Sequence, residues 1–115
     1  MTDCIFCRIA AGEMGTEFLY QDDLVVVFKD VRPRTPVHLL VVPRKHIPSL
    51  NEVVAEDEPL LGRILRAAGQ VARETGIAEK GYRVIGNTGP YSGQEVNHVH
   101  FHVLGGRPLG RMVGS

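Results

Sequence analysis

Three histidines near the carboxyl end of the chain have a type and spacing that could carry chemistry. His98, His100 and His102 alternate with apolar residues, and alternate side chains of a β-strand point to the same face. Neighbouring imidazoles would lie about 6.5 Å apart, close enough to surround one phosphate-sized group. Such a row could bind zinc or copper, or it could catalyse phosphoryl transfer. The alternation by itself leaves both chemistries open.

Phosphoryl transfer suits imidazole because a neutral ring attacks phosphorus near pH 7 and is afterwards a good leaving group. One difficult hydrolysis is thereby divided into two easier steps. A neighbouring histidine could protonate the departing atom. This chemistry therefore calls for a neutral attacking histidine beside a protonated partner.

A second candidate group lies near the amino end. Cys4 and Cys7 are too few and too close together for the disulfide framework of a secreted protein. Their Cys-x-x-Cys spacing could be half of a zinc site, a redox pair, or two small buried side chains. The spacing does not choose among these.

The rest of the pattern predicts the elements that position these residues. Apolar residues recur at helical spacing over residues 60–72, and this long helix is expected to be capped by Asp57 and ended by Gly76. A short helix is predicted over Cys4–Ala10, and Ser49 begins a capping box that predicts a helical turn. Strands are predicted at Thr16–Gln21, Leu24–Lys29, His38–Val42, Tyr82–Asn87 and His98–Leu104. The expected class is α+β, one domain over residues 1–115 with about five antiparallel strands.

Composition and charge exclude several classes of function. The 115 residues include 13 basic and 13 acidic ones, so the formal charge is zero with the five histidines neutral. Bulk electrostatics would not drive binding to nucleic acid. The apolar runs are far shorter than the roughly 18–20 residues that cross a bilayer, and the chain does not begin with a secretory signal pattern. We therefore expect a cytoplasmic protein that binds neither nucleic acid nor membrane.

The chain resembles the histidine triad (HIT) family, and within it the nucleotide-binding Hint branch. His98–Leu104 fits the family pattern of three histidines, each followed by an apolar residue, and Gly105-Gly106-Arg107 follows it as is typical of the branch. Supporting segments occur in the same order along nearly the whole chain: Cys4–Cys7, Phe28–Pro33, Pro36–His38, Pro43–Ile47, and Gly81–Val84 with Asn87. The resemblance implies a HIT-like fold.

The resemblance also implies a role for each histidine of the triad. His100 would be the nucleophile that forms a covalent nucleotidyl-histidine, with its ring oriented by the backbone carbonyl of His98. His102 would contact the phosphate and assist the leaving group. His38, on a neighbouring strand, would complete the polar network.

Nucleotide-binding positions are implied in the same way. Asp30 would hold the ribose hydroxyls, a suitable role for an acceptor-only side chain, while Asn87 and the backbone around Gly93 would bind on the phosphate side. Glu95 stands where the eukaryotic pattern has a serine that donates to the leaving group, and the carboxyl-terminal tail lacks the tryptophan often found there. Both departures bear on leaving-group preference. The implied purine pocket is apolar and consists of Ile5, Phe6, Ile9, Phe28, Val31 and Leu40.

In other members of the family, a Cys-x-x-Cys pair and two histidines bind a structural zinc ion. The matching residues here are Cys4, Cys7, His46 and His98, a closed set that leaves His100 and His102 for catalysis. The chemistry itself would need no cofactor. The branch is typically homodimeric, which implies a dimer here through the long helix and the strand Tyr82–Asn87.

Together these implications predict a purine nucleoside phosphoramidase that hydrolyses the P–N bond of nucleoside 5′-phosphoramidates. Two alternatives remain open. One is a dinucleoside polyphosphate hydrolase, whose leaving group needs less proton donation, although Gly105-Gly106-Arg107 speaks against it. The other is a zinc-stabilised nucleotide-binding regulatory protein with little catalysis of its own.

Overall fold

A computed structural model describes residues 3–114, and its strands form one antiparallel sheet. The strands are β1 (Tyr20–Gln21), β2 (Val25–Lys29), β3 (Val37–Pro43), β4 (Tyr82–Gly86) and β5 (Phe101–Gly105), in the spatial order β1-β2-β3-β5-β4. The helices are α1 (Ile5–Ala10) and α2 (Glu58–Glu74), and short 3₁₀ turns lie at Leu50–Glu52, Ala55–Asp57 and Pro90–Ser92. The predicted α+β class is confirmed. No helix in the described range is long and apolar enough to cross a membrane.

The centre of the sheet is buried on both faces, which explains the continuous apolar runs in β2 and β3. Alternate residues of these strands pack under α2, whereas the residues between them pack under α1. A strand covered on both faces needs such an unbroken apolar run. The α2 side contains Val25, Val27, Leu39 and Val41, and the α1 side contains Val26, Phe28, Leu40 and Val42.

Helix α2 confirms the predicted helical spacing, but its start differs from the prediction. Asp57 stands at the N-cap position without a side-chain capping bond. Its carboxylate instead accepts hydrogen bonds from the backbone N–H of Val54 (3.1 Å) and from Lys45 Nζ (2.6 Å). The buried carboxylate therefore ties the preceding turn to the loop after β3. The left-handed Gly76 (φ 79°) follows the helix end, as expected.

Strand β5 begins at Phe101, three residues later than the sequence predicts. The chain before it bonds outside the sheet ladder: the N–H of His98 donates to Val96, and the N–H of Val99 donates to Ile47 at 2.7 Å. The predicted strands Thr16–Gln21 and Tyr82–Asn87 are likewise shortened, to β1 and β4. In the first case Phe18 leaves the sheet to pack beneath α1.

The two glycines at the end of β5, Gly105 within the strand and Gly106 directly after it, allow the chain to pack closely against its neighbours. A Cβ atom on Gly105 would lie 2.7 Å from Ile77 Cδ1, and one on Gly106 (φ 100°) would lie 2.8 Å from Pro36 Cβ. The Arg107 guanidinium then donates to the backbone carbonyl of Arg34 at 3.2 Å. These contacts hold the loop between β2 and β3 against the end of the sheet.

Candidate active site

Strand pairing brings His38 and His102 together on the face that carries α1. In the register between β3 and β5, His38 lies opposite Leu104, and Leu40 lies opposite His102. His38 and His102 are thus diagonal neighbours on one face, within reach of each other's side chains. His38 Nε2 and His102 Nδ1 are 2.9 Å apart, a hydrogen-bond distance.

A chain of hydrogen bonds that starts at the backbone determines where each of these two imidazoles carries its proton. The N–H of Arg34 donates to His38 Nδ1 at 3.1 Å, so the proton of a neutral His38 lies on Nε2. His38 Nε2–H then donates to His102 Nδ1, which leaves the His102 proton on its Nε2. Asp30 Oδ2 lies 3.4 Å from His38 Nε2, and Asp30 Oδ1 accepts the N–H of Arg32 at 2.8 Å. His102 can therefore present an N–H donor while it is uncharged.

His100 has the opposite tautomer for a related reason. Its Nδ1–H donates to the backbone carbonyl of His98 at 2.7 Å, and the bond is buried. The lone pair of the neutral ring is therefore on Nε2. The His100 ring centroid lies 5.2 Å from that of His102, and the Phe6 ring packs edge-on against His100 at 4.9 Å. The arrangement places a nucleophilic nitrogen beside a hydrogen-bond donor.

Burial keeps both supporting histidines uncharged at neutral pH. Desolvation, with further contributions from His100 and His38, lowers the pKa of His102 to about 4. Desolvation also lowers the pKa of His38, although the nearby Asp30 opposes the shift. The protonated partner that the sequence led us to expect is thus neither His38 nor His102 in the protein without substrate.

The structure also brings together the four residues that the family resemblance implied for zinc. Cys4, Cys7, His46 and His98 each bring one ligand atom within 4.8 Å of the others. His98 Nδ1 lies 3.3 Å from Cys4 Sγ, 3.5 Å from Cys7 Sγ and 3.2 Å from His46 Nδ1. A tetrahedral zinc ion with ordinary Zn–S and Zn–N bonds separates its ligand atoms by about 3.3–3.8 Å. The four residues therefore fit zinc.

The His98 ring belongs to this cysteine–histidine group and does not line the space beside His100. Its Nε2–H donates to the carbonyl of Pro43 at 2.8 Å, so its Nδ1 carries the lone pair that faces the cysteines. The expectation that the triad rings surround one phosphate is therefore wrong for His98. Asp30, His38 and His102 form a second group that could hold a metal ion, but the 2.9 Å donor–acceptor contact already accounts for its geometry.

The residues expected to bind the nucleotide on its phosphate and leaving-group side lie around the loop between β4 and β5. Asn87 follows β4 and is half-buried. Gly93 has a left-handed conformation (φ 86°), and its N–H donates to Pro90. Glu95 is exposed beside a cavity of about 400 Å³ that Cys4 and His46 also line. Glu95 thus lies next to the cysteine–histidine group.

The expected purine pocket is divided by the fold. Phe6, Ile9, Phe28 and Leu40 belong to one apolar cluster beneath α1. Ile5 and Val31 lie outside that cluster and are 37% and 93% exposed. Most of the set therefore has a packing role in this structure.

Sequence reasoning missed two residues that shape the site. The Gln94 side chain accepts the N–H of Gly89 and donates to the carbonyls of Pro48 and Val96, which braces the loop that leads to His98. The backbone of Arg34 sets the tautomer of His38. The polar side chain of Gln94, between Gly93 and Glu95, could have indicated its role from the sequence. The role of Arg34 could not be read from its residue type, because only its backbone makes the contact.

The chain is similar to known proteins over most of its length. A model of the HIT domain matches residues 11–109. The chain is 49% identical to "Purine nucleoside phosphoramidase" of Escherichia coli (strain K12) over 111 residues, which cover 96% of this chain and 93% of that protein. It also resembles the solved structure of a HIT family hydrolase from Legionella pneumophila, with a TM-score of 0.94 and 42% identity over 97% of this chain and 100% of that one. A HIT family hydrolase from Clostridium thermocellum gives a TM-score of 0.94 and 41% identity over 98% of each chain. The family match spans the sheet and the triad, whereas Cys4 and Cys7 precede it.

The lowered pKa values of His38 and His102 predict a loss of stability in mild acid. Unfolded histidine has its ordinary pKa of 6.5, so the unfolded chain binds more protons than the folded one as the pH falls below that value. This contribution is complete above pH 6.5 and is lost progressively toward pH 4. Urea unfolding should give a smaller free energy at pH 4.5 than at pH 7.5, with a smaller difference in His102→Asn. An equal difference in both proteins would contradict the assignment.

Proposed function

Because the chain belongs to the HIT domain family, we propose that it hydrolyses the P–N bond of purine nucleoside 5′-phosphoramidates. The observation that carries the proposal is the tautomer of His100, whose Nδ1–H is held by the His98 carbonyl while Nε2 keeps its lone pair. Similarity to the E. coli phosphoramidase supports the substrate class. The hydrolases among the similar structures support the reaction type.

In the proposed mechanism, His100 Nε2 attacks the phosphorus and the P–N bond to the amine breaks. The amine leaves with a proton, and the nucleotide remains joined to His100 through a new P–N bond. Water then attacks the phosphorus, the bond to His100 breaks, and the nucleoside monophosphate is released. One water is consumed, and the chemistry is carried by histidine side chains without a cofactor.

His102 is proposed to bind the phosphate through Nε2–H and to assist the amine. Its low pKa in the substrate-free protein arises mainly from burial. A phosphate anion against the ring favours the charged form and raises this pKa when substrate binds. The proton needed for the leaving group is then held in the complex, beside the breaking bond.

The nucleotide is proposed to lie across the face that carries α1. Asp30, half-buried beside His38, would accept the ribose hydroxyls. Asn87, the backbone around Gly93, and Glu95 would line the phosphate and leaving-group side. The base would pack on the accessible edge of the apolar residues Ile5, Phe6, Ile9, Phe28, Val31 and Leu40.

Hydrolysis of adenosine 5′-phosphoramidate tests this function directly. Wild-type protein should release AMP, and mass spectrometry after rapid quenching should find a nucleotidyl group on His100. His100→Ala should abolish release. His102→Asn should lower turnover by about 10²–10⁴-fold, the usual contribution of a general acid, while the adduct still forms on His100.

Circular dichroism of the His100→Ala variant is the control for folding. Full retention of AMP release in a folded His100→Ala protein would overturn the proposal. A higher turnover of dinucleoside polyphosphates than of phosphoramidates by the same preparation would assign the site to that substrate class instead. Nucleotide binding with undetectable turnover of either class would favour a regulatory protein.

We also propose that Cys4, Cys7, His46 and His98 bind a structural zinc ion. The support is the near-tetrahedral spacing of their ligand atoms and the His98 tautomer. Bound zinc would join the start of α1 to the segment after β3 and to the loop before β5. Two thiol ligands persist in a reducing compartment, which supports a cytoplasmic location.

Elemental analysis of purified protein should find one zinc per chain. Cys7→Ser should lose the metal and lower the melting temperature, because a closed structural site contributes directly to folding. Asp30→Asn is the matched control, since it alters the other candidate metal group but none of these ligands. Zinc lost in Asp30→Asn but kept in Cys7→Ser would place the ion elsewhere.

We further propose that the chain forms a homodimer through β4 and α2. β4 is an outer strand of the sheet, and its Tyr82 and Val84 are 37% and 36% exposed. Leu65 of α2 is 56% exposed, and Tyr82 lies close to Gly69, one turn further along the same helix. An exposed apolar strand edge favours pairing with another chain.

Sedimentation equilibrium should therefore give twice the mass of one chain. Val84→Lys should give the monomer, because it puts a charge into the interface. Val54→Lys is the control, since Val54 is also exposed but lies in a turn away from β4. A monomeric wild-type protein, or a dimer that Val84→Lys leaves unchanged, would contradict this interface.

A further inference from the structure

We propose that the cysteine–histidine group (Cys4, Cys7, His46 and His98) positions the His100 ring for attack, in addition to stabilising the fold. The inference rests on the proposed function, because it concerns the orientation of the nucleophile. It assigns a positioning role to residues that do not themselves touch the substrate. Three sets of contacts carry it.

The first contact is made by His98, which belongs to the cysteine–histidine group and also bonds to His100. The His98 ring is fully buried in the cysteine–histidine group, while the His98 carbonyl accepts the Nδ1–H of His100 at 2.7 Å. The direction of this carbonyl determines the direction of the His100 ring. Any rotation of His98 that follows loss of its ligand partners therefore moves the acceptor that orients the nucleophile.

The second contact involves the peptide group between His98 and Val99. Its carbonyl oxygen accepts from His100, and its N–H donates to the carbonyl of Ile47 at 2.7 Å. Ile47 directly follows His46, another member of the group. Since β5 begins only at Phe101, the sheet ladder does not hold this peptide. Its orientation depends on the segment that His46 anchors.

The third contact comes from α1. Phe6 lies between Cys4 and Cys7 in the chain, and its ring packs edge-on against the rings of His100 (4.9 Å) and His98 (5.9 Å). The same short helix and its N-cap residue Cys4 thus supply two ligand atoms, and Phe6 of this helix lies directly against the nucleophile. Loss of ligation would loosen both the carbonyl and the aromatic contact that hold the His100 ring.

The expected effect is on turnover more than on substrate affinity. Asp30 and Asn87, proposed to bind the ribose and the phosphate side, follow β2 and β4. Of the residues proposed to contact the base, Ile5, Phe6 and Ile9 lie on α1, which keeps both of its cysteine ligands when His46 is replaced. A small misplacement of a reacting group costs about 10²-fold in rate. We therefore expect a lower kcat with a KM that changes little when His46, an exposed ligand, is replaced.

The test compares zinc-loaded wild type with His46→Asn, His46→Cys and Lys45→Ala. NMR follows the His100 Nδ1–H proton, which its short buried hydrogen bond should protect from exchange in the wild type. His46→Asn should lose zinc, lose this protected proton and lower kcat by roughly 10²-fold. His46→Cys restores a zinc-binding set of three cysteines and one histidine and should restore both signals.

Lys45→Ala is the control for lost stability. It leaves the buried carboxylate of Asp57 without its lysine, which should lower the melting temperature, but it removes no ligand atom. The protected proton and kcat should remain. If the cysteine–histidine group only stabilised the fold, Lys45→Ala and His46→Asn would each lose activity in proportion to their loss of stability.

Two outcomes would overturn the inference. One is a His46→Asn protein that has lost zinc but keeps the protected proton and a kcat close to the wild type. The other is a wild-type protein in which adding or removing zinc leaves the His100 signal unchanged. Failure of the proposed function is distinguishable, because it would appear as absent phosphoramidate turnover in zinc-loaded wild type, whatever the NMR result.

Discussion

The buried hydrogen bond from His100 Nδ1 to the His98 carbonyl is the interaction on which the site depends. At 2.7 Å it fixes both the ring orientation and the tautomer of His100. Without it, the Nδ1 and Nε2 tautomers of a neutral imidazole would compete, and either nitrogen could carry the lone pair. A backbone acceptor serves this purpose well because it neither titrates nor rotates independently of the chain.

The sheet positions the second half of the site by a different means. His38 and His102 are diagonal neighbours across β3 and β5, so their separation follows from the strand register. A shift of register by one residue would turn His102 toward α2 and place an apolar side chain beside His38. The apolar residues that pack against α2 oppose such a shift, because it would turn Val103 out of their cluster and bury the His102 imidazole there in its place. Core packing therefore maintains the donor chain from Arg34 through His38 to His102.

The sequence predicted the class of fold and the α2 face because these depend on periodicity within single elements. The alternation of Val99, Phe101 and Val103 also holds, since Val99 and Val103 are buried in the α2 cluster and Phe101 packs against it. Alternation does not specify what the opposite side chains meet, however. The His98 ring meets cysteines 94 and 91 residues away along the chain. Only the resemblance to a family indicated that the His98 ring is directed to the cysteines and away from the rings of His100 and His102.

Other differences arise where a residue has a partner that its local pattern does not suggest. Asp57 has the type and position of a helix cap, yet the stronger contact with Lys45 takes its carboxylate. The start of β5 is delayed because Ile47 takes the N–H of Val99. Both competing partners come from the segment after β3, whose path is set by tertiary packing. Local sequence can predict the capacity of such groups to bond, but the fold determines which partner is used.

The electrostatics of the site follow from keeping several imidazoles close together in a buried place. His100 and His38 each help to lower the pKa of His102, because two neighbouring rings cannot both be charged without mutual repulsion. Protonation of the neutral His102 ring is therefore unfavourable until a phosphate anion binds beside it. A bound phosphate removes much of that cost, so substrate binding and proton uptake are coupled. In the proposed mechanism, the charge on His102 that assists departure of the amine therefore appears only when the phosphorus is in place.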